Sequence, residues 1–176
     1  MMMMDQGAKD WNDEEDCVLQ QMWQPVANEL LDVEYEAMEK HQCKYDLYEN
    51  ALKDLFCEQH PLENRTVWQI MIMGAGRGGL IHAVENAAER ANVKVCITAI
   101  EKNTIGVKAM QQQKWKTHDT IRILDMDVRA FDRHKLKHFD IFVSELLGSF
   151  ADNELAPEVF APIVKHSHAK AWFMPS

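Results

Sequence analysis

The stretch VWQIMIMGAGRGGL, Val67 to Leu80, decides the fold. Its first seven residues are apolar except for one glutamine, are strand-length, and run straight into glycines, which reads as a buried parallel strand ending in a tight turn. Leu80, Val84, Ala87, Ala88 and Ala91 then recur on one helical face, and KVCITAI at 94–100 supplies a second strand that ends at Glu101. That is one complete β-α-β unit.

Downstream the alternation continues. A helix is predicted through Lys108 to Trp115, then the strand IRIL at 121–124, a polar stretch, the strand FDIFV at 139–143, a helix from Asn153 to His166 and the strand KAWFM at 170–174. Upstream, Val26, Leu30 and Val33 to Ala37 give helical spacing after Pro25, and Tyr45, Tyr48, Leu52, Leu55 and Phe56 repeat it more clearly before HPLEN at 60–64. Strands alternating with helices imply an α/β protein with a parallel sheet covered on both faces. The expected organisation is an irregular lead over 1–24, two helices within 25–62 and a Rossmann-like core over 63–176.

Composition narrows the function classes. The 176 residues suffice for one domain, and a formal net charge of -9 argues against a phosphate-binding surface, because nucleic-acid binders cluster Lys and Arg. A basic peptide is the better-matched partner. Cys17, Cys43, Cys57 and Cys96 form no C-x-x-C pair, so neither a disulfide framework nor a zinc knuckle is indicated, and a reducing compartment, cytoplasm or nucleus, is expected. With no signal-like start and no long apolar run, the expectation is a soluble protein without a membrane partner.

Gly74, Gly76 and Gly79 satisfy G-x-G-x-x-G between a strand and a helix, where glycine lets a ligand approach backbone amides at a helix N-terminus. Glu101 lies at the spacing of an acid that accepts hydrogen bonds from ribose hydroxyls. Together they indicate a nucleoside cofactor, and leave a nicotinamide dinucleotide and S-adenosylmethionine both open. Asp127 or Asp125, past the third strand, is a candidate acceptor for an adenine amino group; solvated loop charges fit that spacing equally.

The loop SELLGSFADNE, Ser144 to Glu154, separates the candidates. Hydride transfer has no evident use for two carboxylates at the end of the fourth strand, whereas a guanidinium pairs bidentately with carboxylates. Each such pair is worth about 4 kcal/mol at an effective dielectric of about 20, before desolvation is subtracted. Helix capping accounts for Asp152, Asn153 and Glu154 but leaves Glu145 unexplained.

GAGRG at 74–78, IEKN at 100–103, SELLGSFADNEL at 144–155 and EKHQCKYDLYENAL at 39–52 together resemble the protein arginine methyltransferase 5 family, the type II enzymes that make symmetric dimethylarginine. The resemblance runs from about Gln24 to the C-terminus and implies a class I methyltransferase fold. It also implies that Gly74, Ala75, Gly76, Glu101 and Lys102 bind S-adenosylmethionine, with Asp127 and Val128 at the adenine. Tyr35, Lys44 and Tyr45 would fold over the cofactor, the lysine and the second tyrosine near its carboxylate. Glu145 and Glu154 match the paired glutamates that hold the substrate guanidinium.

Met38 stands where the family has phenylalanine, which leaves a symmetric, asymmetric or monomethyl product open. Val128 and Gly79 replace a methionine and a proline. Family members also carry an N-terminal TIM barrel that binds a WD-repeat partner and a C-terminal β-barrel that walls the peptide groove, neither of which is in this sequence. The expectation is therefore a cofactor domain that methylates Arg-Gly-rich or histone-tail proteins weakly when alone, or a catalytically inactive binding fragment. A nicotinamide-dependent enzyme is the third reading.

The other candidates read as structure. His134 with His138, and His166 with His168, have ligand-like spacings but no accompanying carboxylate or thiolate at family-like spacing. Cys96, Met71, Met73, Leu80 and Trp172 read as packing, and RHKLKH at 133–138 as a solvated face.

Overall fold

The apolar run after Val67 forms strand β1, Trp68–Met73, and its neighbours are β2, Val95–Glu101, β3, Ile121–Asp125, β4, Ile141–Ser144, and β5, Trp172–Met174. All pair in parallel in the order β3-β2-β1-β4-β5. The computed structural model describes residues 29–63, 67–116, 120–146, 148 and 154–175. The predicted lead over 1–24, with Pro25, Val26, Asp152 and Asn153, lies outside the described residues.

Period-2 alternation along β1 divides the core in two. Trp68, Ile70 and Ile72 meet Leu52 and Phe56 of α2, Gln42–Glu63, and Leu80, Val84 and Ala87 of α3, Gly79–Ala91. Met71 and Met73 point the other way, with Phe142, to Val159 and Ile163 of α5, Ala156–His166. Burying each such side chain contributes about 1.5–3 kcal/mol, which is what makes β1 the axis of the domain. The remaining helices are α1, Asp32–Glu39, and α4, Thr104–Gln112.

Parallel strands place all their carboxyl ends on one edge. Gly74, Lys102, Met126 and Glu145, the residues that follow β1 to β4, therefore converge there. The chain leaves β1 toward β2 on one side and meets β4 on the other, and this reversal opens a crevice of the kind in which α/β sheets bind ligands.

Several local expectations are corrected. The helix expected to reach Trp115 ends at Gln112, because Gln113 turns extended and Trp115 folds back, its Nε1–H donating to the Met110 carbonyl at 3.0 Å. α5 starts at Ala156 after Leu155, whose φ is 58°, with Pro157 in the first turn where its missing N–H costs nothing. The polar stretch folds as two 3-10 turns, Val128–Ala130 and Arg133–His138. Cys96 is half-buried rather than core, alternating with buried Val95 and Ile97. Trp172 is 41% exposed, because β5 is an edge strand. Met71, Met73 and Leu80 are buried as read. Among the described residues no helix is long and apolar enough to cross a membrane.

Candidate active site

The turn after β1 is shaped by glycines with positive φ, 67° at Gly74, 55° at Gly76 and 102° at Gly78. The Gly76 N–H donates to Glu101 Oε2 at 2.7 Å, and the N–H groups of Lys102 and Asn103 donate to Oε1 at 2.8 Å each. One buried carboxylate thus ties together the ends of β1 and β2. A carboxylate offers about four acceptor positions, so roughly one remains on Oε2 for a ligand.

Gly79, the third glycine of the motif, is already helical; its role is close approach. A Cβ there would lie 2.5 Å from the Tyr45 ring, and one at Gly76 would lie 3.3 Å from the Tyr35 ring. These two tyrosines, from α2 and α1, therefore stand over the glycine turn. Burial pushes both hydroxyls above the ordinary tyrosine range, with Glu101 adding at Tyr35 and Glu145 at Tyr45. Arg77 fastens α1 from within the turn, reaching Asp32 at 3.3 Å and Glu39 at 3.2 Å. Asn103 donates to the Leu30 carbonyl at 2.9 Å, closing the same edge.

Beneath these contacts lies a cavity that opens to solvent. Tyr35, Met38 and Tyr45 line it from the helices, Gly74, Ala75 and Gly76 from the turn, and Glu101 and Lys102 from the end of β2. Asp127 and Val128, which follow β3, line it as well. Asp127 is engaged by Arg129, at 2.8 Å from its N–H and 2.6 Å from its guanidinium, and that bond draws its carboxyl below the usual range. Asp125 is exposed and is not part of the lining.

Glu145, which follows β4 on the other side of β1 from Glu101, and Glu154 line the same cavity. Burial and the charge of Glu145 push the Glu154 carboxyl up to about 7, with Lys44 opposing. Glu145 bonds Lys44 Nζ at 2.5 Å, and that ammonium also lies 4.5 Å from the centroid of the Tyr45 ring. Lys44, which the resemblance places near the cofactor carboxylate, is not among the lining residues, and its ammonium bonds Glu145. Leu30, Asn103, Met126, Leu146, Leu155 and Val159 also line the cavity, and the sequence reading did not single them out as site residues. Asn103, Leu146 and Leu155 fall within the quoted IEKN and SELLGSFADNEL stretches but carry no charge or titratable group that would mark them as ligands; Leu30, Met126 and Val159 lie outside every quoted motif.

The histidines stand apart from this site. His134 and His138 lie exposed on a 3-10 turn, where i, i+4 spacing no longer aligns side chains. His166 Nδ1 lies 2.7 Å from the Pro162 carbonyl and His168 Nε2 lies 3.6 Å from Asp140. Among the described residues no three His, Cys, Asp or Glu side chains gather as metal ligands.

Comparison with known proteins follows the same lines. Residues 6–174 match the family model described as PRMT5 arginine-N-methyltransferase. A protein arginine N-methyltransferase 5 from Drosophila melanogaster is 39% identical over 140 residues, 77% of this chain and 22% of that protein. The Xenopus laevis protein of the same name is 36% identical over 145 residues, 80% of this chain and 22% of its own length. The chain thus spans about a fifth of these curated relatives. Among solved structures, the plantazolicin methyltransferase BpumL, crystallised with SAH, superposes with a TM-score of 0.55 at 12% identity, over 77% of this chain and 48% of that one. A putative S-adenosyl-L-methionine-dependent methyltransferase from Methanococcus maripaludis gives 0.53 at 17% identity, over 78% and 59%. These two likenesses establish the class I methyltransferase fold.

Proposed function

This chain belongs to the PRMT5 arginine-N-methyltransferase family, and from that premise we propose that its cavity binds S-adenosylmethionine and that Glu145 and Glu154 hold a substrate guanidinium beside it. The observation that carries the reading is one continuous cavity lined by the glycine turn and Glu101 at one end and by both glutamates at the other. The glycine turn fits a nucleoside ligand because it lines the cavity with backbone at the N-terminus of α3, and Glu101 retains an acceptor position for a ribose hydroxyl. Bound there, the cofactor supplies an electrophilic methyl group on a sulfonium.

The chain's own residues supply binding, orientation and proton handling. A free guanidinium is protonated, with its lone pairs delocalised. Two carboxylates on the far nitrogens draw positive charge toward themselves and leave the near nitrogen more nucleophilic. The glutamates divide the work: Glu145, already paired with a cation, acts as the ionised ligand, while Glu154, with its carboxyl near 7, accepts the proton released on transfer. Tyr35 and Tyr45 shield the turn from water, and most of the remaining acceleration is positioning.

Arg-Gly-rich segments or histone tails are the proposed substrates, in the cytoplasm or nucleus, consistent with the net charge of -9. The proposed division is helices over 25–62 and a cofactor core over 63–176, with weak turnover by this chain alone or cofactor binding without turnover. The pairing of Lys44 with Glu145 favours the second outcome, since a resident cation competes with the substrate. Family membership counts against a nicotinamide-dependent enzyme.

Calorimetric titration with S-adenosylhomocysteine tests the reading, using the oxidised nicotinamide dinucleotide as control and Glu101→Gln in parallel. Binding of the first alone, weakened in the variant, is expected. Equal binding of both ligands, or none by a folded chain, would overturn it. Robust Glu145-dependent methylation of an Arg-Gly peptide would overturn only the weak-turnover part.

A further inference from the structure

Glu145 is reached through β4, and β4 loses one neighbour before it ends. Val143 pairs with Met174 of β5, whereas among the described residues Ser144 pairs only with Met73 of β1. The peptide group that joins Ser144 to Glu145 thus leaves the sheet with ladder support on one side.

Its carbonyl is taken from elsewhere. The Tyr48 hydroxyl, on α2, donates to the Ser144 carbonyl oxygen at 2.6 Å. That carbonyl and the Glu145 nitrogen lie in one peptide plane, so fixing the oxygen fixes the point from which the Glu145 side chain departs. One turn earlier on the same helix, Lys44 bonds the Glu145 carboxylate. Residues four apart share a helix face, so a single stripe of α2 grips both the backbone and the side chain of this position. The Tyr48 ring is held in turn by packing against the core that contains Leu52 and Phe56. Burial, with a smaller contribution from Glu145, pushes its hydroxyl up to about 12, so it remains a donor across the physiological range.

We propose that Tyr48 is a positioning residue for Glu145, acting through the Ser144 carbonyl to aim the carboxylate into the cavity. The inference rests on the reading of Glu145 as a guanidinium ligand. Because the same helix carries Tyr45 against the glycine turn, α2 sets the spacing between the cofactor end and the acidic end of the cavity. A tyrosine serving stability alone would act on both ends equally.

The test is a calorimetric cycle on the purified chain with a Gly-Arg-Gly peptide, using Tyr48→Phe, Glu145→Gln and the double variant, with S-adenosylhomocysteine affinity as the control. Tyr48→Phe keeps the ring and removes the donor. It is expected to weaken peptide binding about fivefold, the worth of one hydrogen bond, while the control affinity stays within about twofold. In the Glu145→Gln background the same change is expected to do nothing further. Incorporation of p-aminophenylalanine at position 48 restores a donor and should recover the affinity, which covers the case of a poorly folding phenylalanine variant. Unchanged peptide affinity in Tyr48→Phe, equal loss of both affinities, or additivity in the double variant would overturn the proposal while leaving the guanidinium reading intact. Equal peptide binding by the parent chain and Glu145→Gln would overturn that reading, and this inference with it.

Discussion

The two ends of the cavity are built by different means. At the glycine end, Glu101 accepts from three backbone N–H groups, those of Gly76, Lys102 and Asn103, and the chain segments involved are consecutive or one β-α-β unit apart. At the acidic end, Glu145 is held by side chains of α2 about a hundred positions earlier, Lys44 on its carboxylate and Tyr48 on the preceding carbonyl. The first end is fixed whenever the unit folds. The second depends on α2 docking correctly, so the cofactor end should prove the sturdier and the substrate end the more adjustable.

The largest effect that can break this contrast is Glu101→Ala. It strips the acceptor from three backbone donors, and with each unsatisfied group costing about 1–3 kcal/mol, Tm should fall by on the order of 10 °C. Glu101→Gln retains one oxygen and should lose markedly less. A scanning calorimeter reads both; a fall of only about 2 °C in the alanine variant would mean that the turn holds its shape without the carboxylate.

Gly79→Ala comes next, because it strikes the contact where the two ends meet. The new methyl would lie 2.5 Å from the Tyr45 ring, so the ring must shift or α2 must move outward. Overpacking of this kind costs about 1–3 kcal/mol. Denaturant unfolding measures the loss, and the sharper expectation is that S-adenosylhomocysteine binding weakens alongside it. Unaltered stability would show that Tyr45 swings away freely.

How far the sequence discloses this architecture follows the same contrast. The alternating elements were legible because hydrophobic period and glycine turns are local signals, and every predicted strand lies where a strand forms. The glycine end was equally legible, since its spacing to Glu101 is a fixed property of a β-α-β unit. Boundaries failed where tertiary contacts override local propensity, as when Trp115 folds back to cap the end of α4 and Leu155 adopts a left-handed conformation before α5. At the acidic end the residues were legible but their partners were not. Nothing local to Lys44 or Tyr48 announces a contact with residues 144 and 145.

Glu154→Gln tests the adjustable end through pH. The folded carboxyl titrates near 7 and the unfolded one near 4.5, so between those values the native state holds a proton that the unfolded state lacks. Its contribution to stability is therefore lost as pH rises from about 4.5 to 7, and the loss is complete above 7. Glutamine cannot ionise. The variant should gain stability relative to the parent at pH 8 and lose that advantage at pH 4, as read by Tm across a pH series. A constant difference across the series would place the Glu154 carboxyl in the ordinary range.

The smallest effect discriminates most finely. Lys44 and Glu145 are both partly exposed, at 22% and 37%, so their ion pair should contribute at most about 1 kcal/mol to stability, and Lys44→Gln should leave Tm nearly unchanged. Binding is a different matter. Removing a resident cation leaves two carboxylates facing the cavity without a competitor, and a unit charge near contact is worth about 1 kcal/mol even in water, so the affinity for Gly-Arg-Gly at pH 8 should rise about fivefold. Lys44 also opposes the upward shift at Glu154, so the midpoint of that titration should move higher in the variant. A fall in peptide affinity would mean that Lys44 orients Glu145 more than it neutralises it, and would make the acidic end as preorganised as the glycine end. A rise would mean that its arrangement without substrate is a self-occupied one, from which an arginine must displace the chain's own lysine.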